Sequence, residues 1–401
     1  MNDSDHWAKR ALTHARVLSQ NIGPRGATSK AEGRAAAYVH HQLEQLGIKD
    51  AKLKHFEGAT SGWIPWALIF SLSSWGMLIG LIFDLAGGLI AAAFYAAATW
   101  IAYQELYPTV NNRPARRWLW HKESQNVCGS IPPAGSAERE IVIMAYLDSA
   151  RAPSLWRRLG RRRLLYHLVP FLFLSLPLNA VFFVLGAFTT NVLFYFMALL
   201  LLLPQIAALL GSLHAEHSPI SPGANHNASG VGTLLALAER LSASPLVHSQ
   251  VRLLMTGCRE TGGDGMRNFL QAYRETPTDI TFIALEGVGV GEHIVYLTSE
   301  GPLWRTDYSP QVIEIAARAA TRCQEQGLSI QTGHHQGFPT EIGILVRHGL
   351  QGLGINAWPV NHPGVAHRHR IDDTPDSLQP QTLAYTHHFV WTLLQEIDRQ
   401  E

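Results

Sequence analysis

The sequence predicts a three-layer α/β/α sandwich around a mixed, mostly parallel sheet, interrupted by two transmembrane helical hairpins that contribute four helices. Two observations predict it. Strand-like and helix-like segments alternate over the second half of the chain, as they do around a parallel sheet. Two long apolar blocks, about 63–105 and 164–213, break into that pattern.

Composition narrows the class. The chain has 401 residues and a formal net charge of +1, so it carries no electrostatic footprint for nucleic acid and none is expected as a partner. Charged residues are 16% of the chain, against roughly 25% for an average soluble protein. The deficit falls in the two apolar blocks. The three cysteines, Cys128, Cys258 and Cys323, are scattered without metal-type spacing. Such a set argues against a disulfide framework and fits a reducing compartment. The segment Met1–Arg16 is polar, unlike a secretory signal.

Each apolar block is long enough for two spans of about 20 residues. The first divides into Trp63–Phe83, a turn at Asp84 to Gly88, and Leu89–Leu106. The second divides into Leu164–Phe188, a turn at Thr189 to Asn191, and Val192–Leu213. Trp63, Trp66, Tyr103, Tyr107 and Tyr166 stand near the ends, as interfacial anchors do. Arg113, Arg116, Arg117 and Lys122 follow the first block, and Arg157, Arg158, Arg161, Arg162 and Arg163 precede the second. The short turns carry no Lys or Arg, so the positive-inside rule places the soluble part and both termini in the cytoplasm. The expected division is 1–62 as the N-terminal part of the sandwich, 63–107 as hairpin 1 and 108–163 as the central strands. Hairpin 2 takes 164–213, and 214–401 completes the sandwich.

The soluble elements follow in order. Ala11–Gln20 and Ser29–Leu46 carry apolar residues at helical spacing, the second stopped by Gly47. Asp50–Phe56 alternates as an edge strand. Ser124–Ile131 reads as a strand, and Glu140–Leu147 is an apolar run suited to a central strand covered on both faces. Beyond hairpin 2, helices are expected at 229–243, 264–274, 309–325 and 380–398. Strands are expected at 250–256, 279–286, 293–297, 328–332 and 351–356.

In open α/β sheets, sites form at the carboxyl ends of strands. Five polar segments fall there: Tyr146-Leu147-Asp148-Ser149, Ser221–Gly230 around Asn225-His226-Asn227, Cys258–Gly262, Leu285-Glu286-Gly287, and His369–Thr374. Their order and spacing resemble the M28 family of zinc aminopeptidases from about residue 20 onward, once the hairpins are set aside. Ile22-Gly23-Pro24-Arg25 and Leu43–Gly47 resemble the opening of that family's catalytic domain. The resemblance implies an aminopeptidase fold with a metal site built from those segments. It also exposes departures. Tyr146 stands where the family has a zinc-binding histidine. His226 replaces the aspartate that bridges two ions. Arg259 replaces the general base, and Glu286 an aspartate ligand. Asp148, Glu260, His369, Asp373 and Thr374 keep the pattern.

A pair of dications needs an anionic bridge, and a neutral imidazole bridges poorly. The residues therefore favour one zinc over two, held by His226, Glu260 and His369 as a His₂Glu set with an open position. Glu286 either completes the set or supports it. A metal-free site, with Arg259 paired to Glu260 or Glu286, stays open as the alternative. Arg259 is fully protonated in proteins and cannot act as a base. Glu286 can, if it is not a ligand. Tyr146 and Arg259 are candidate oxyanion donors, Arg259 is alternatively a clamp for a substrate carboxylate, and Asp148 supports the site. The loop Gly333–Glu341 places Glu341 where the family has an aspartate and adds His334 and His335. His362 and His367 lie close to His369.

The reading is a membrane-anchored metallohydrolase cleaving a peptide or other amide bond at the cytoplasmic face. The alternative is a catalytically inactive relative kept for binding. Because hairpin 2 leaves the sheet between Asp148 and His226, the expected substrate arrives at the lipid bilayer: a short peptide, an acylated amino compound or the end of a membrane protein.

Overall fold

The computed structural model describes residues 3–82, 85–110, 114–154, 162–272, 280–361 and 364–400. The chain opens with α1 (Asp3–Arg16), prolonged by a wider turn to Ile22, and α2 (Lys30–Gln45), capped by the Ser29 side chain accepting from the Glu32 amide. Then come β1 (Lys52–Ala59), α3 (Ile64–Ile82), α4 (Leu85–Leu106), β2 (His121–Ile131) and β3 (Arg139–Tyr146). The second apolar block forms α5 (Arg162–Thr189) and α6 (Val192–Glu216). The rest runs α7 (Ser229–Ala243), β4 (Ser249–Thr256), α8 (Asp264–Ala272), β5 (Ile280–Leu285), β6 (His293–Glu300), β7 (Thr306–Asp307) and α9 (Pro310–Glu325). It ends with β8 (Ile330–His335), α10 (Glu341–Val346), β9 (Gln351–Trp358) and α11 (Pro380–Asp398).

The nine strands among the described residues form one sheet in the order β1-β2-β4-β3-β5-β9-β6-β7, with β8 also on β6. The centre, β4-β3-β5-β9, is parallel. The β1-β2-β4 side and the β9-β6-β7 side are antiparallel. Strand β3 shows why the sheet must be covered twice. Ile141, Ile143 and Ala145 pack on one face with α2, α7, α9 and α11, while Val142 and Met144 pack on the other with α8 and α10. Side chains alternate across a strand, so a continuous apolar run needs a layer on each side.

Helices α3, α4, α5 and α6 are each long and apolar enough to cross a membrane. They pack as a bundle whose outward surface carries Trp75, Leu81, Ile82, Phe188, Val192 and Leu203. Helix α4 starts at Leu85, inside the stretch expected as a turn. The reason is close packing: a Cβ on Gly88 would lie 2.7 Å from that of Ala187, and one on Gly80 2.2 Å from the Phe183 ring. These glycines let the hairpins touch, as small residues do between membrane helices. Asp84, Arg113, Arg157, Arg158, Arg161 and His362 lie outside the described residues, as do the side chains of Arg162, Arg163 and Tyr166.

The helical bundle is fastened to the sandwich beside the strand ends. Arg116 pairs with Glu105 near the end of α4 at 2.7 Å and donates to the carbonyls of Ser61 and Thr261. Ser61 in turn donates to Glu216 at the end of α6, and Glu216 pairs with Arg151 at 3.2 Å. Trp304, on the loop after β6, packs on Tyr103 and Tyr107 of hairpin 1 and Phe173 of hairpin 2.

Candidate metal centre

Strands β3, β4 and β5 end side by side, so the segments after them meet. Arg25, fully buried, organises the neighbouring turn. Its guanidinium donates to the carbonyls of Leu147, Leu18, Gly23, Pro222 and Gly223. That ties the Ser221–Gly230 stretch to the end of β3. Gly223 has φ +61°, and a Cβ there would lie 2.7 Å from that of Ser149, so only glycine fits. Asn225 and Asn227 flank His226 and accept from the amides of Gly289 and of Gly287 and Gly230. The imidazole is thereby fixed against the exit of β5.

Two carboxylates hold the site's backbone. Asp148 accepts from the amides of Arg259 and Glu260 at 3.0 and 2.8 Å. Asp373 accepts from those of Asn225 and His226 at 2.7 and 3.0 Å. Both oxygens of each carboxylate are taken by these amides, and those of Asp148 hold the backbone at Arg259 and Glu260. Cys258 (φ +54°) and His369 (φ +56°) occupy left-handed backbone conformations that non-glycine residues seldom adopt.

His226, Glu260 and His369 come together. Their ligand atoms lie within 4.8 Å of one another. His226 Nδ1 is 3.6 Å from Glu260 Oε1, and His369 Nε2 is 3.3 Å from Glu260 Oε2. Ligands placed tetrahedrally around zinc at about 2.0–2.1 Å are themselves about 3.3 Å apart. On its other side His226 Nε2 lies 2.9 Å from Glu286 and 2.7 Å from the Tyr146 hydroxyl. Burial pushes the Glu286 carboxyl up, but the charge of Arg259 and the contact with His226 outweigh it and hold it well below the usual range. An ionised Glu286 requires the proton on Nε2 and leaves a lone pair on Nδ1. Burial lowers His226 to about 4 and lowers His369 also, so both rings are neutral. Burial would raise Glu260, yet the charge of Arg259 holds it below the ordinary range. Among the described residues, Nδ1 of His226 and Nε2 of His369 are buried without a well-aligned hydrogen-bond partner. Two buried neutral nitrogens flanking an ionised carboxylate fit a cation between them.

Glu286 stands outside that triad, its carboxylate taken by His226, Arg259 at 3.1 Å and Arg368 at 3.5 Å. Arg259 is equally committed. It reaches Glu260 at 3.3 Å as well as Glu286, and its guanidinium lies over the Tyr146 ring. Among the described residues, His334 and His335, which the structure places at the end of β8 instead of in a loop, do not join, and neither does His367. His334 is held by Ser299 and the Gly301 carbonyl, His335 faces the Phe338 carbonyl, and His367 faces Asp372. Burial raises the Cys258 thiol far out of its reactive range.

Glu341 is the site residue whose weight sequence reasoning underestimates. It begins α10, lines the same cavity as Glu260 and His369, and has one oxygen without a partner. Burial raises its carboxyl to about 7. The available signal was the Thr340-Glu341 pair, and Thr340 caps the helix by accepting from the Gly343 amide.

A model of peptidase family M28 matches residues 205–394, just under half of the chain. The probable lipoprotein aminopeptidase LpqL of Mycobacterium tuberculosis is 29% identical over 122 residues, which are 30% of this chain and 23% of that protein's length. Among solved structures, a Bacteroides thetaiotaomicron glutaminyl cyclase superposes with a TM-score of 0.57 at 14% identity, covering 98% of both chains. The zinc aminopeptidase BSAP of Bacillus subtilis superposes with a TM-score of 0.56 at 16% identity, covering 97% of this chain and 94% of its own. These likenesses establish the sandwich and its sheet.

Proposed function

The chain carries a peptidase family M28 domain, and on that basis we propose that it is a membrane-anchored hydrolase that cleaves a peptide or related amide bond with a single zinc ion. The supporting observation is the pair of unpartnered ring nitrogens, on His226 and His369, turned toward the ionised Glu260. Without a cation these atoms are buried and unsatisfied, which costs about 1–3 kcal/mol each.

One ion fits this chain better than two. Arg259 and Arg368 bring two positive charges to Glu286, the residue that resemblance would give to a second ion. Arg259 thereby does electrostatically what that ion would do, and His226 needs no negative charge to bridge anything. His226, Glu260 and His369 would hold the zinc, which would supply Lewis-acid chemistry. The chain's own residues handle the rest. Glu286 fixes the tautomer and ring plane of His226. Glu341, with a free oxygen in the cavity and a carboxyl near 7, takes a proton from the attacking water and returns it to the leaving amine. Arg259 and Tyr146 hold the site rather than touch the substrate.

The basic residues after hairpin 1, Arg116, Arg117 and Lys122, and the Arg157–Arg163 run before hairpin 2 favour a cytoplasmic sandwich. The substrate then meets the site at the bilayer surface. Hydrolysis of aminoacyl 4-nitroanilides by detergent-purified protein tests this reading. Activity should vanish on chelation and return with one equivalent of zinc. A zinc-loaded protein that hydrolyses no member of a broad panel would leave an inactive binding protein as the better account.

A further inference from the structure

The cavity that holds the zinc ligands does not end within the sandwich. Glu260, His369 and Glu341 line it together with Trp63, Trp66 and Phe338. Trp63 immediately precedes α3, and Trp66 lies in its first turn. The Phe338 ring sits 6.2 Å from that of Trp63, edge to face, and 5.5 Å from that of Trp66. Such ring pairs hold one another in place. The wall is also anchored from behind. The Thr340 amide donates to Glu300 at 3.1 Å, Glu300 pairs with Arg347 at 2.9 Å, and Arg347 donates to the Pro108 carbonyl beyond hairpin 1. The approach is tight, since a Cβ on Gly62 would lie 2.5 Å from the Glu260 carbonyl oxygen.

Resting on the hydrolase reading above, we propose that hairpin 1 completes the substrate pocket. Trp63, Trp66 and Phe338 form a subsite for one bulky apolar side chain next to the scissile amide, seated where the first membrane-length helix begins. The cavity is about 150 Å³, a volume known to take a benzene-sized group. That size admits a phenylalanyl or leucyl side chain. The wall belongs to the membrane-facing part of the chain, so the subsite lies at headgroup depth, where tryptophan is at home. Substrates are thus selected by an apolar residue presented at the membrane surface.

The test is equilibrium binding to the full-length protein in lipid nanodiscs, measured by titration calorimetry with zinc bound and again after chelation, with selectivity read from the chelated protein, where turnover of the amides adds no heat. The ligands are phenylalaninamide, leucinamide, alaninamide, glutamic acid α-amide and decanamide. Phenylalaninamide and leucinamide should bind about tenfold more tightly than alaninamide, the scale of a few buried methylenes. The ratio should fall to about threefold or less in Trp63→Ala and Phe338→Ala. If Phe338→Ala gives no cooperative melt, Phe338→Leu is read instead and should shift the phenylalaninamide-to-leucinamide ratio. Equal binding of all amides, tightest binding of glutamic acid α-amide or decanamide, or an unchanged ratio in folded variants would overturn the subsite. The two readings fail separately. Selective binding without hydrolysis removes the hydrolase and keeps the subsite. Hydrolysis without selection does the reverse.

Discussion

Arg259 and Glu286 form a buried pair, with the guanidinium 3.1 and 3.3 Å from the two carboxylate oxygens. The same carboxylate orients His226. One ion pair therefore sets both the charge balance of the site and the ring that faces Glu260. Removing one partner of such a pair strands the other charge and costs about 3–5 kcal/mol. Arg259→Met should lower the melting temperature steeply. Adding Glu286→Gln should recover part of the loss, which a double-mutant cycle by thermal melting reads directly.

Glu286→Gln alone strands Arg259 and should lower the melting temperature; in the protein that stays folded it should weaken zinc binding by about 10–100-fold, the usual effect of losing the carboxylate behind a ligating histidine. Competition with a chelating dye measures it. Unchanged affinity would detach Glu286 from the metal centre.

Glu341 gives a pH signature in the chelated protein. The groups that act on it are Thr256, Arg259, Glu286 and Glu260, and burial dominates. Its folded carboxyl is near 7, above an unfolded value near 4.5. The neutral form favours folding. Its contribution is complete below the unfolded value and is lost as pH rises toward 7, by roughly 3 kcal/mol in all. Glu341→Gln cannot ionise, so its melting temperature should exceed that of wild type at pH 8, with the gap closing at pH 5. A constant gap would contradict the buried neutral carboxyl.

Much of the fold was legible because its signals are local. The apolar run at Ile141–Ala145 suits a doubly covered strand, and Ser221–Gly230 carries its turn chemistry in its own residues. Other features escaped for physical reasons. Helix Glu341–Val346 is too short to show a period. The glycines of α4 read as a turn until Ala187 and Phe183 of the other hairpin are seen against them. In the site, the residue types at 226, 260 and 369 were visible in sequence, and the structure puts them side by side. What Arg259 does was not visible, because it depends on which carboxylates fold against it.

Gly62 tests how closely the hairpin presses on the site. Gly62→Ala places a methyl group against the Glu260 carbonyl, so it should weaken zinc binding by displacing Glu260. Gly211→Ala in α6, where a Cβ meets nothing within 4 Å, is the control and should bind zinc as wild type does. Matching affinities in the two variants would mean that the hairpin gives way instead.

The amount of zinc in the purified protein tests the metal centre most directly. Elemental analysis of detergent-purified wild type should give one zinc per chain, falling to background in His226→Ala and in His369→Ala. Two ions per chain would contradict the role given to Arg259. No zinc in the wild type, after reconstitution under reducing conditions, would contradict the metal centre itself.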